Sequence, residues 1–421
     1  MTTLIRVSTL VFLLHANTVL ANGWTMFHGP DGKNMSPDTG LLTSWPEDGP
    51  KLLWKIDNIG EDFSGYSSVT IQNDRLFTSG IRAGHSIVYC FDLNGNPLWE
   101  YDNGEAWMDP HPGTRSTPTI DGDFVYDFSA LGELVCLTVD KGEKVWRRNI
   151  LTDFEGENIL WGLSESVRID GDRLYCSPGG KKASFVALNK KTGEVIWTTP
   201  SLGAKTSYAS PIIIEQDGLR MIVTTYLKGM FGVNAENGEL LFTFYHEHCN
   251  GINSTRPIYH EGHLYIAHTA ERAGPGIPKG AVKVKLTVVD GKVSFDEVWR
   301  DEKLDNLHDS VILLDGFLYG ISFIYRGGVF LCVDWKTGEA RYESGRLGPG
   351  TSFTWAEGLL YLLSDKGAVL LVRPNPEKFD VISRFDLPKE GSGPTWAHPV
   401  VFGKRLYLRH GTFLYCYDVA K

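Results

Sequence analysis

Along the chain, short apolar runs alternate with polar turns, and one phrase keeps returning. It is an apolar strand, an Asp or Asn, a Gly turn, and a second apolar strand carrying an aromatic residue. YCFDLNGNPLWEY holds it as Asp92, Gly95 and Trp99, CLTVDKGEKVWRR as Asp140, Gly142 and Trp146, and VALNKKTGEVIWTT as Asn189, Gly193 and Trp197. FGVNAENGELLFTF, LTVVDGKVSFDEVWRD and LCVDWKTGEARYES continue it, and LVRPNPEKFDVISRF is its most degenerate copy. The closing aromatics are Trp54, Trp99, Trp146, Trp197, Phe242, Trp299, Tyr342 and Phe385, spaced 43 to 57 residues apart. A period of that size belongs to a solenoid or a propeller. Between the copies lies a second phrase, a strand, a tight turn and a strand ending in an aromatic, as in STPTIDGDFVYDFS and DSVILLDGFLYGIS. The DG, NG and EG pairs supply the positive φ that hairpin reversals need. Four short antiparallel strands per repeat predict a propeller blade.

The repeat begins and ends broken. KLLWKI, with Trp54, has only the second half of the phrase, and FLYCYDV, with Tyr417 and Asp418, has only the first. A closed ring explains both, because the last blade can take its outer strand from the other end of the chain. The eight closing aromatics then predict an all-β, eight-bladed propeller shut by pairing around Trp54. Closure also removes the sheet edges that an open array would expose.

The chain has 421 residues, 46 Gly, 12% aromatic residues and a net charge of −10. Basic runs are absent, which disfavours nucleic acid as a partner, since phosphate neutralisation needs a basic surface. Residues 1–21 resemble a secretory signal, with Arg6 as the positive region, an apolar core from Val7 to Leu14, and a small-residue cleavage site at Val19-Leu20-Ala21. Export to the periplasm or cell envelope, or secretion, is therefore expected, with no transmembrane segment once the leader is removed. The expected organisation is a signal peptide at 1–21, an N-terminal leading segment at 22–50 and the propeller at 51–421. Export invites disulfides. The register argues otherwise: Cys90, Cys332 and Cys416 each stand two residues before an Asp, and Cys136 keeps the same strand parity. Equivalent positions in neighbouring blades are too far apart to bridge, so these four are read as buried thiols filling space. Cys176 and Cys249 have no assigned place.

VALNKKTGEVIW, GPDGKNMSPDTGLLTSWPEDGPKLLWKI and WGLSESVRIDGDRLYCSPGGKKASFVALNKKTGEVIW resemble the repeat of the pyrroloquinoline quinone (PQQ)-type β-propellers, an exported subfamily within the quinoprotein alcohol dehydrogenase-like superfamily. The resemblance runs from Trp24 to the C-terminus. It implies the eight-bladed fold, and either of two functions, because the superfamily holds both quinoprotein dehydrogenases and cofactor-free scaffolds. The repeat tryptophans are expected to be structural, packed between blades with the indole N–H on a backbone carbonyl.

The loops leading into the innermost strands converge on one funnel around the axis. They carry Tyr66, Arg115, Trp161, Lys205, Tyr208, Arg256, Trp355, Trp396 and His398 as candidate ligand-binding residues, with Asp309, Glu165 and His308 as catalytic candidates. A binding scaffold is the first reading, expected as a monomer holding a protein, a carbohydrate or a small anion at the funnel, without a cofactor. The alternative is an alcohol or sugar oxidoreductase, which the resemblance would supply with PQQ and Ca²⁺. That reading would use Asp309 or Glu165 as base, Arg115, Lys205 and Arg256 to orient an anionic group, and His308 to shuttle a proton. The adjacent cysteine pair common in the dehydrogenases is missing. His246 and His248, two apart in YHEHCN, are weak metal candidates with no third ligand set by spacing, so no metal is expected.

Overall fold

The computed structural model describes residues 23–61, 65–246, 252–269 and 280–421. Residues 1–22, which hold the expected leader, Glu247–Gly251 (which includes His248 and Cys249) and residues 62–64 and 270–279 lie outside the described residues. Eight antiparallel sheets follow one another along the chain. Blade 1 is built from Thr70–Gln72, Arg75–Arg82, His85–Asp92 and Pro97–Glu105. Six further blades repeat the order inner to outer, starting at Thr119, Arg168, Ile212, Ile258, Val311 and Ser352. Blade 8 takes Val400–Phe402, Arg405–His410 and Phe413–Asp418 from the C-terminus and Lys51–Ile56 from the N-terminal side. Lys51 pairs with Asp418 and Trp54 with Cys416, so the ring closes as the broken phrases require. Among the described residues no helix is long and apolar enough to cross a membrane.

The repeat residues act as a mechanical unit. Seven blades carry a register shift beside the outer strand's aromatic, and in blade 7 the shift falls at Ser383, two residues before Phe385. Such a bulge turns a side chain out of the regular pleat. The residue opposite the aromatic is small in six blades: Cys90 faces Trp99, Cys136 faces Trp146, Ala187 faces Trp197, Gly232 faces Phe242, Cys332 faces Tyr342 and Cys416 faces Trp54. The five described cysteines are free and buried, Cys176 included. Burial pushes the Cys136 and Cys416 thiols up to about 12, which keeps them protonated and inert.

Each tryptophan then lies over the turn glycine of the next blade. A Cβ on Gly142, at φ +67, would fall 2.5 Å from Trp99, and one on Gly338 would fall 2.7 Å from Trp299. The indole N–H of Trp54, Trp99, Trp146 and Trp299 donates to a carbonyl of the neighbouring blade, at Leu93, Val139, Lys190 and Trp335. Trp197 Nε1 is buried without such a partner. The expected structural role thus holds for packing throughout, and for the hydrogen bond in four of the five tryptophans.

The segment before Lys51 has a position that strand periodicity could not supply, because it crosses the ring axis. Gly23–Trp24 pairs antiparallel with the innermost strand of blade 1, and Met35–Ser36 pairs in parallel with the innermost strand of blade 7. Between them the Thr25 carbonyl accepts from Ile120 N of blade 2, and Asn34 donates to the Phe353 carbonyl. The loop HGPDGKN folds on itself through four positive-φ residues, His28, Gly29, Gly32 and Asn34. Trp24, His28 and Asn34 are fully buried. The strap partitions the channel into two chambers.

Candidate functional site

The upper chamber is the funnel formed by the loops that enter the innermost strands. It has a volume of about 360 Å³ and opens to solvent. Tyr66, Arg115, Trp161, Tyr208, His308, Asp309, Trp396 and His398 all line it. Four other candidates do not. Lys205 turns away to an ion pair with Glu157 at 3.1 Å and to the Asn158 carbonyl. Trp355 packs into the core between blades 6 and 7. Arg256 faces the lower chamber. Glu165 points into blade 3, where Oε2 accepts from Ser177 N and Oε1 has no partner. Trp355 lies inside the strand Ser352–Ala356, where alternation turns it from the axis, whereas Lys205, Arg256 and Glu165 stand outside the strands and are turned by the course of their loops. His111, Phe323 and Phe27 line the chamber without having been singled out in the sequence. Phe27 comes from the strap, whose course no local pattern reveals.

The walls are aromatic. Trp396 is the hub, with ring centroids 4.8 Å from Tyr66, 4.9 Å from His308 and 5.5 Å from His111. Its Nε1 is fixed by Asp365 Oδ1 at 3.0 Å. Across the funnel Trp161 and Tyr208 pair at 5.7 Å. Arg115 sits over the rings of Tyr66 and Trp107 and donates to the carbonyls of Gly113, Pro110 and His111. Burial lowers it to about 10, and no carboxylate lies within 4 Å of it among the described residues.

The floor is Phe27 above a chain of polar groups. His398 Nε2 donates to the His308 carbonyl at 2.7 Å. That leaves His398 Nδ1 as acceptor for His28 Nε2, 3.1 Å away. His28 Nδ1 in turn lies 3.4 Å from Asp309 Oδ2. The tautomers are therefore linked, and the open position is a proton between His28 and Asp309. Burial raises Asp309 to about 7, opposed by the Arg256 guanidinium and backbone N–H. Burial lowers His398 to about 4 and His308 to about 3, so both imidazoles are neutral at pH 7.

The donor set of the upper chamber does not suit PQQ with Ca²⁺. Such a cofactor needs several cationic or hydrogen-bonding groups for its carboxylates and converging oxygen ligands for the ion. Arg115 is the chamber's one lining Lys or Arg, and backbone carbonyls already occupy its donors. Asp309 is turned to Arg256 and His28, and Glu165 is turned away. Among the described residues no three His, Cys, Asp or Glu side chains converge to hold a metal. His246 Nε2 instead accepts from Arg300 Nη1 at 2.8 Å, with its ring 3.7 Å from that of His268.

The profile of the family described as outer membrane protein assembly factor BamB matches residues 18–177 and 158–378. A protein of that name from Yersinia pestis is 22% identical over 283 residues, 66% of this chain and 67% of its own length. Quinoprotein alcohol dehydrogenase PedH from Pseudomonas putida is 26% identical over 156 residues, 35% of this chain but only 25% of its own. The crystal structure of quinohemoprotein alcohol dehydrogenase from Comamonas testosteroni superposes with a TM-score of 0.66 over 96% of this chain and 82% of that one, at 11% identity. With the repeats, the ring closure and a profile spanning most of its length, the chain belongs to the PQQ-like β-propeller family of outer membrane protein assembly factor BamB.

Proposed function

We propose that this protein is an exported binding scaffold, a monomer of the periplasm or cell envelope, that captures a protein partner in its upper chamber. The observation that carries the reading is an aromatic funnel over a closed floor, with Arg115 its one cation among the described residues and no described carboxylate within 4 Å of it. Aromatic side chains and Arg are the groups that anchor protein interfaces. An extended segment with apolar side chains fits the rings on both walls, and the charge of Arg115, whose donors are held by backbone carbonyls, adds only a general attraction for an acidic one. The assembly factor that shares 67% of its length with this chain supports a scaffold, and the leader-like residues 1–21 support export.

An oxidoreductase is the second reading, favoured by one observation. Asp309 is held near neutrality beside a histidine chain that reaches the chamber, which suits a proton acceptor. The lack of a fitting donor set for PQQ and Ca²⁺ weighs against it. The test is a peptide array probed with the wild-type chain and with W396A, alongside titration with PQQ and Ca²⁺ and a dye-linked oxidation assay across alcohols and sugars. Peptide binding that W396A abolishes is expected, with no saturable PQQ binding. Saturable PQQ binding with substrate oxidation would replace the scaffold by the enzyme, and glycan binding without peptide binding would change the partner class.

A further inference from the structure

The lower chamber, on the other side of the strap, has a volume of about 350 Å³ and a different character. Its walls come from the innermost strands of blades 3 to 6, and its roof is the loop from Met26 to Met35. Two arginines from separate blades converge there. Arg168 Nη1 and Arg256 Nη1 lie 3.0 and 3.1 Å from the point where a Cβ on Gly32 would stand. The two nitrogens are therefore within about 6 Å of each other, a range at which like charges repel. Gly32 has φ +69 and no side chain, which lets the strap pass close over both guanidinium groups, while the cavity below them stays open.

The fold leaves most of the hydrogen-bonding capacity of these two groups unspent. Arg256 is only 8% exposed, yet its guanidinium donates no hydrogen bond to any described residue. Its nearest carboxylate oxygen is Asp309 Oδ2, 3.7 Å from Nε. Arg168 has no carboxylate within 4 Å among the described residues. Its Nη1 meets only the thioether of Met26, a weak acceptor, and its Nε is buried without a partner. Lys33 stands in the same lining, with Asp31 as its one acidic member. Burial lowers both arginines, and Arg256 lowers Arg168 further. Two desolvated cations held together with one weak donated bond and one loosely placed carboxylate are a cost that an anion between them would reduce.

We infer that the lower chamber is an oxyanion site, in which Arg168 and Arg256 bridge the oxygens of a phosphate or carboxylate group on a small molecule held in the cavity beneath Gly32. A tetrahedral phosphate or a planar carboxylate presents oxygens at a spacing that two guanidinium forks can share. Lys33, exposed in the lining, adds attraction for the incoming anion.

The test is calorimetric titration of the full chain with inorganic phosphate at constant ionic strength, followed by competition with acetate. One saturable site is expected. R168Q should weaken it about tenfold or more, the loss of a charge-assisted pair of hydrogen bonds. R384Q, at an exposed arginine of blade 7, should leave it unchanged. R168K keeps the charge without the fork and should fall between wild type and R168Q, which secures the result if R168Q folds poorly. Displacement of phosphate by acetate would name a carboxylate ligand, and resistance to it a phosphate ligand. The inference is overturned if no saturable binding is found, or if R168Q and R168K bind phosphate as tightly as wild type.

Discussion

The two chambers share one axis and one partition, yet their chemistry is opposite. The upper one is walled by Tyr66, Trp161, Tyr208 and Trp396, and its single cation is tied to three backbone carbonyls. The lower one carries two arginines whose donors are largely unspent. The source of the lining explains the difference. Loops that precede the inner strands are free of the ladder and can present large rings. Inner strands offer only alternate residues to the channel, so a cation such as Arg168 appears singly and meets its counterpart from another blade. Asp309 joins the halves: it lines the upper chamber, accepts from Arg256 N at 2.9 Å, and faces His28 of the strap.

Breaking that joint should have the largest effect. D309A leaves Arg256 buried without its carboxylate and removes the acceptor of a buried N–H. A loss of about 3 to 5 kcal/mol in urea unfolding is expected, and an unchanged midpoint would mean that the halves are held together by the strap alone.

Next comes a carboxylate that belongs to neither chamber. Burial raises Glu165 to about 8. The folded chain therefore holds a proton that the unfolded chain has released at any pH between roughly 4.5 and 8, and its stability falls as pH rises through that window. E165Q has no proton to lose. Its stability relative to wild type should increase by on the order of a few kcal/mol between about pH 5 and pH 8. Parallel stability profiles would show that Glu165 ionises normally.

The upper chamber's histidines have the reverse sign. His308 and His398 are lowered to about 3 and about 4, so the unfolded chain binds more protons below their ordinary 6.5, and stability falls as pH drops from there toward 4. Replacing His398 by Asn should flatten that acid limb by about 1 to 3 kcal/mol, read from the same unfolding series at low pH.

Within the funnel, W396A should weaken peptide capture by about 2 kcal/mol, as expected of a central aromatic anchor, measured by fluorescence anisotropy of a bound peptide. Y66F should be the mildest change. The Tyr66 hydroxyl makes no hydrogen bond to the described residues, so stability should move by less than about 0.5 kcal/mol. A larger loss would reveal that the hydroxyl is hydrogen-bonded in the folded chain.

Much of the fold was legible because its rules are local or periodic. The Gly turn and the closing Trp recur in register, and each pair meets across one blade boundary, as Gly193 meets Trp146 and Gly238 meets Trp197. The funnel was legible in part. Residues such as Trp161 and Tyr208 precede their strands and point to the axis. Lys205, Trp355, Arg256 and Glu165 were read in the same context but face elsewhere: Trp355 by strand alternation, the other three by loop courses that their tertiary partners fix. The strap was not legible at all. HGPDGKN reads as a surface turn, and its partners His398 and Phe353 lie more than 300 residues away.

The sequence by itself determined the number of blades, the strand that shuts the ring and the role of the repeat tryptophans, since each follows from a spacing repeated along the chain. Only the tertiary structure decided that residues 23–36 cross the axis, that the channel is two chambers, and that Arg168 and Arg256 meet over Gly32. The physical reason is that those contacts join segments far apart in sequence and outside the repeat. Ring closure brings them together, and no local propensity encodes them.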